Sequence, residues 1–100
     1  MSNEELKTRL DIRTDLTPPK DYKVIYINDD VTTFEFVTES LMNVFEYSSD
    51  PARDKTLEIN DKGSGVVAVL PFEIAEQKGV EVLVSARNNG FPLEVRLEQE

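Results

Sequence analysis

Residues 22–36 read YKVIYINDDVTTFEF, and the order of apolar run, polar turn and capped helix inside this stretch decides the fold. Tyr22 to Ile27 is β-branched and aromatic, the composition of a strand. Alternation sets Val24 and Tyr26 on one face and Lys23, Ile25 and Ile27 on the other, so both faces are expected to be at least partly covered. Asn28, Asp29 and Asp30 follow where the strand yields to a turn. Thr32 with Glu35 three residues later matches a capping box, which starts a helix at Thr33. Val37, Leu41, Val44 and Phe45 then recur at helical spacing to near Tyr47, a stripe for burial.

Downstream, Asp50 before Pro51 reads as an N-cap with proline at the first helical position, opening a second helix to about Asn60. Gly63 and Gly65 mark its end, and Val66 to Leu70 is an apolar run of strand length. Pro71 opens a third helix whose Ala75, Gly79, Val82, Leu83 and Ala86 share a face. A glycine inside a helix costs roughly 1 kcal/mol relative to alanine, so Gly79 implies close packing against a neighbour. Asn88 to Gly90 stops the helix, and Leu93, Val95 and Leu97 alternate with Glu94, Arg96 and Glu98 as a half-exposed strand. The order is β-α-α-β-α-β, an α+β fold with a three-stranded antiparallel sheet and helices packed on one face.

Upstream, residues 1–20 have scattered apolar residues and end in LTPPK, whose paired prolines interrupt regular structure. Ser2 with Glu5 can cap a short helix, but one with few apolar partners is marginal alone. The expected organisation is a mobile extension over residues 1–20 and one domain over 21–100. A length of 100 residues fits one core. No apolar run approaches a membrane span, and the mixed-charge start MSNEELKTRL lacks the pattern of a secretion signal, so the expected location is the cytoplasm. Absence of cysteine excludes disulfides and thiolate chemistry, and absence of histidine removes the commonest general base and metal ligand. Four acids balance four bases in residues 1–20, so residues 21–100 carry the whole net charge of −9. Such a body repels phosphate backbones and attracts cations or basic surfaces, which argues against nucleic acid as a partner.

Asn28, Asp29 and Asp30 have several readings. Asn and Asp belong in turns for local reasons, bonding nearby backbone and capping helices. A divalent-metal site lacks the spacing and glycine of a calcium loop, and carboxylate catalysis lacks a nucleophile or an activating group. Capture of a cation remains: an ammonium head has three donors and no acceptor, and wants oxygens and negative charge around it. An Asn with two neighbouring Asp residues offers both.

PPKDYKVIYINDDVTTFEFV (18–37), NDKG (60–63), PFEIAEQKG (71–79) and FPLEVRLE (91–98) together resemble ClpS, the small adaptors that deliver substrates with particular N-terminal residues to the Clp unfoldase and protease. The similarity spans about residues 17–99, and the family fold has the β-α-α-β-α-β order read above. The resemblance implies a non-enzymatic monomer, with no cofactor, metal or membrane, that binds N-degrons: a free α-amine followed by a bulky apolar first residue. It puts the amine on Asn28, Asn60 and Asp29, and the side-chain pocket on Thr32, Phe34, Val37, Thr56, Ile59 and Leu93. Glu73 and Lys78 fall on the surface that docks on the N-terminal domain of a ClpA- or ClpC-type AAA+ unfoldase. The segment to about Pro18 would reach toward the unfoldase channel. Asn60 stands where the family has histidine, and Phe34 and Thr56 where it has methionines. The alternative is a modulator that docks on the unfoldase without reading N-degrons. An unrelated protein-binding domain of the same shape, like the C-terminal domain of the ribosomal stalk protein, is a further alternative.

Overall fold

The computed structural model describes residues 2–13 and 21–100, the side chain of Thr8 excepted. The elements run α1 (Asn3–Arg9), β1 (Asp11–Arg13), β2 (Tyr22–Ile27), α2 (Phe34–Phe45), α3 (Ser49–Lys62), β3 (Ser64–Leu70), α4 (Phe72–Asn88) and β4 (Glu94–Gln99). From β2 onward this is the expected β-α-α-β-α-β order. The sheet has four strands rather than three, in the order β1-β4-β2-β3. β2 lies antiparallel between β3 and β4, with a register shift at Val24/Ile25, while β1 joins the free side of β4 in parallel. β1 escaped the sequence because it is three residues long and polar. Electrostatics hold it: the Asp11 carboxylate accepts from Arg96 Nε at 3.0 Å and from Arg13 Nε at 2.9 Å.

Alternation along β2 and β4 buries Tyr22, Val24, Tyr26, Val95 and Leu97 against the helices. Leu41, Ile59, Val82 and Leu83 close the core from above. Tyr26 keeps its hydroxyl satisfied inside it, 2.8 Å from Ser40 Oγ, which itself donates to Val37 O at 2.8 Å. Burial pushes the Tyr26 phenol well above its ordinary value.

Residues 3–13 were expected to lie outside the domain, yet they contribute to this core. Ser2 Oγ accepts from Glu5 N at 3.2 Å and starts α1, whose Leu6 is 1% exposed; Leu10, just after it, is 4% exposed. The receiving notch is at Gly79, where a Cβ would stand 3.2 Å from Leu10 Cδ1. The close packing inferred for that glycine is thus with Leu10 and with Val95 of β4. Lys7 adds an ion pair to Glu76 at 3.4 Å. The paired prolines of LTPPK lie outside the described residues.

Two helix starts differ from expectation and bear on the site. The cap of α2 is Thr33, not Thr32: Thr33 Oγ1 accepts from Phe36 N at 3.1 Å. α3 begins two residues before Pro51, at Ser49, so the proline occupies the third helical position, where an N–H has no intrahelical partner anyway. α3 also runs past Asn60 to a Gly63 cap, so Asn60 is helical, and Gly65 lies in β3. A Cβ on Gly65 would meet Ile59 Cγ1 at 2.8 Å, so the glycine is what lets α3 sit down on β3 there.

Candidate functional site

The β2–α2 turn, the first turn of α2 and the second half of α3 enclose a cavity of about 300 Å³ lined by Asn28, Asp29, Asp30, Thr32, Thr33, Phe34, Val37, Thr56, Ile59 and Asn60. Eight of the nine residues expected around a ligand therefore converge. The ninth, Leu93, is not in this lining; it is a buried core residue whose carbonyl accepts from Arg87 Nη1 at 3.0 Å.

Asp29, which the resemblance puts on the amine, is itself engaged by the turn. Asp29 secures the turn: Oδ1 accepts from Val31 N at 2.8 Å and Thr32 N at 2.6 Å, and Oδ2 from Thr32 Oγ1 at 2.8 Å. Burial alone would raise its carboxyl, but the bonds from Thr32 and Val31 and the charge of Arg87 outweigh that and hold it below the ordinary carboxylate range. Asp30 is exposed on the cavity and bonds to no other described residue. The free carboxylate at the mouth is therefore the second one. The sequence does not separate the two, because each has a threonine three residues on, Thr32 after Asp29 and Thr33 after Asp30.

Asn28 is fixed by its backbone, whose N–H donates to Gly63 O at 2.9 Å, tying the turn to the end of α3. Its side-chain amide and that of Asn60 are exposed and engage no other described residue. Below them the wall is apolar: Val37 and Ile59 are buried, and Phe34, 38% exposed, stands at the side. Thr56 is 3% exposed and adds no unmet polar group, since its Oγ1 bonds Ala52 O at 2.8 Å and Thr38 Oγ1 at 2.9 Å. Two amides and a carboxylate stand above an apolar floor, groups whose chemistry suits a cation attached to an apolar group. Among the described residues no three acidic side chains are placed to hold a metal ion.

Glu73 and Lys78 are not part of this cavity and do not adjoin each other. Five residues apart on α4, they point about 140° from one another. Glu73 is exposed on a groove of about 650 Å³ between α1 and α4. Lys78 turns to α2, where Nζ donates to Val44 O at 2.7 Å and lies 5.8 Å from the centre of the Phe45 ring.

Residues 17–96 match the family model described as ATP-dependent Clp protease adaptor protein ClpS. The chain belongs to the ClpS family. Its relatives include the ATP-dependent Clp protease adapter protein ClpS of Campylobacter jejuni subsp. doylei, 44% identical over 95% of this chain and 99% of that protein. The ClpS of Nautilia profundicola is 40% identical over 93% of this chain and 96% of its own length. Among solved structures, Agrobacterium tumefaciens ClpS2 bound to L-phenylalaninamide superposes with a TM-score of 0.79 at 42% identity, covering 83% of this chain and 100% of that one. Membership makes this chain a ClpS-type adaptor of the Clp protease system, not a protease. No helix among the described residues is long and apolar enough to cross a membrane.

Proposed function

We propose that this ClpS-family chain recognises N-degrons, a free α-amine followed by a bulky apolar first residue, and hands their owners to an AAA+ Clp unfoldase. The observation that carries the reading is the convergence of the unengaged Asn28 and Asn60 amides and the free Asp30 carboxylate above Val37 and Ile59. The ammonium bonds to the two amide oxygens and the carboxylate, and the first side chain enters between Phe34, Val37, Thr56 and Ile59. Asp29 acts through the turn it holds and through its charge. L-phenylalaninamide, the ligand of the solved ClpS2, is chemically this pair of groups, a free α-amine beside an aromatic side chain. Binding is the whole mechanism; no bond is made or broken.

Glu73 belongs to the face that meets the unfoldase's N-terminal domain, of ClpA or ClpC type, and Lys78 supports that face by fixing the end of α2. Residues 1–18 are the extension toward the unfoldase channel, with 3–13 resting on α4 and β4 beforehand. The reading places the chain in the cytoplasm as a monomer.

Fluorescence anisotropy of peptides that differ at residue one, each with a free or acetylated N-terminus, tests it. The expected result is binding of Leu, Phe, Tyr or Trp peptides that disappears on acetylation, which removes the charge and leaves one N–H donor in place of the ammonium's full set. The second reading, a modulator that docks on the unfoldase without reading N-degrons, is favoured by Phe34, Thr56 and Asn60 standing in place of the family's methionines and histidine. It predicts no binding to any free-amine peptide and retained binding to the unfoldase domain.

A further inference from the structure

Glu73 and the seated helix α1 border one groove. Of about 650 Å³, it has Lys7 on one flank and Glu73, Glu76 and Val80 of α4 on the other. Glu76, which pairs with Lys7 at 3.4 Å, is three residues from Glu73, so the two carboxylates are neighbours on one face of α4. A surface that reaches Glu73 therefore comes up against the Lys7–Glu76 pair and the side of α1. Within the lining, Glu4, Glu73, Glu76 and Glu81 outnumber Lys7, so the groove is anionic and the surface that complements it is basic. The hold on α1 is local. A helix of seven residues is marginal alone, an ion pair as exposed as Lys7–Glu76 contributes little, and the three residues of β1 only line the edge of the sheet. Leu6 and Leu10 are what seat it, against α4 and at the Gly79 notch. Segments held in this way open locally, below the cost of global unfolding.

We infer that α1 and a basic face of the unfoldase's N-terminal domain compete for this groove, so that docking at Glu73 unseats residues 3–13 and frees them as part of the extension. The inference rests on the reading of Glu73 as a docking residue. A cationic side chain of the domain takes Glu76 from Lys7, and the domain fills the space beside Val80 that α1 borders. Leu10 then leaves the notch at Gly79 and Leu6 its buried place. Off its seat the short helix melts, and β1 loses the element that leads into it. The seat keeps the segment folded on the adaptor until the unfoldase is present, and the occupied groove keeps it from returning.

The test uses the full chain and the isolated N-terminal domain of a ClpA- or ClpC-type unfoldase. Hydrogen exchange of the unaltered chain reads the seat directly: Leu6 N–H donates to Ser2 O and Leu10 N–H to Leu6 O, and saturating domain should strip the protection from both. Affinity for the domain reads the competition. With the seat about nine-tenths occupied, L10A should bind about tenfold more tightly. The chain has no cysteine, so K7C/E76C joined by a short bismaleimide holds α1 down, and it should bind about tenfold or more weaker than the same double variant capped with N-ethylmaleimide. Retained protection under saturating domain, or equal affinity of the joined and capped chains, overturns the inference, since α1 then stays seated beside the docked domain. Weaker binding by L10A overturns it as well and makes the seated α1 part of the docking surface. In either case, loss of binding in E73A keeps the docking reading of Glu73. Binding that E73A leaves intact, or no binding by the unaltered chain, removes that reading and the inference together.

Discussion

Thr32 grips Asp29 at two points, its N–H on Oδ1 at 2.6 Å and its hydroxyl on Oδ2 at 2.8 Å. This pairing consumes the first carboxylate of the NDD stretch and leaves the second free, so the two aspartates should fail differently when altered. Asp29→Ala opens a turn held by three hydrogen bonds and should destabilise the fold by about 1–3 kcal/mol. Asp30→Asn, at an exposed position, should leave stability within about 0.5 kcal/mol and weaken free-amine peptides by about tenfold, the scale of one hydrogen bond to a charged group. Urea denaturation beside peptide anisotropy separates the two outcomes, and an unstable D30N with intact affinity would reverse the assignment.

Acid should act on stability through two carboxylates. The bonds to Arg13 and Arg96 lower the Asp11 carboxyl, and those from Thr32 and Val31, against burial, lower that of Asp29. A group whose folded value is depressed contributes stability that is present above its unfolded value, about 3.9 for Asp, and lost as pH falls through the folded one. The urea midpoint should therefore hold steady near neutrality and drop below about pH 4. D29N should lower it near neutrality and flatten the acid slope.

Much of the fold was legible because local chemistry and burial agree along the chain. β2 matches its β-branched run, and the α4 stripe of Ala75, Gly79, Val82, Leu83 and Ala86 is the buried face of that helix. What was missed is long-range. Leu6 and Leu10 look like isolated apolar residues in a polar tail until α4 provides a notch for them, and Asp11 looks solvated until Arg96, 85 positions away, comes beside it. In the candidate site, eight of the nine residues that the resemblance points to share one cavity lining. The division of labour between Asp29 and Asp30 was not legible, because it depends on which carboxylate the turn's N–H groups face.

The Gly79–Leu10 contact predicts a sign change. Gly79→Ala gains about 1 kcal/mol of helix propensity but places a Cβ 3.2 Å from Leu10 Cδ1, so a neighbour must yield. Leu10→Ala alone should cost about 2–5 kcal/mol. In the L10A background the contacts with Leu10 Cδ1 and Cδ2 are gone and Val95 Cγ1, at 3.7 Å, is in ordinary van der Waals contact, so G79A should become stabilising by about 1 kcal/mol. A double-mutant cycle in urea measures the coupling, and additive single effects would mean the α1 segment does not rest on α4 in solution.

Lys78 and Glu73 should separate under the same treatment. Lys78→Ala removes a donor from the end of α2 and should lower stability by about 1 kcal/mol, or about 4–8 °C in Tm for a domain of this size. Glu73→Ala should not. Loss of unfoldase-domain binding in E73A at unchanged Tm identifies a contact residue, whereas loss in K78A is interpretable only against its thermal shift.

The chain contains no histidine, and the residue at the family's histidine position, Asn60, does not titrate. With Asp29 held below the ordinary carboxylate range, affinity for a free-amine peptide should be flat from about pH 5.5 to 7. It should then fall above about pH 8, as the peptide's own α-amine, with an ordinary value near 7.7–8.0, loses its proton. Asn60→His puts an imidazole beside the ammonium. Below its ordinary value of about 6.5 the imidazolium repels the amine and can no longer accept from it, so N60H should lose affinity on the acid side, where the unaltered chain does not. Anisotropy titrations of one peptide from pH 5.5 to 9 compare the two proteins. An acid-side fall in the unaltered chain would mean that a group other than Asn28, Asp30 and Asn60 receives the amine.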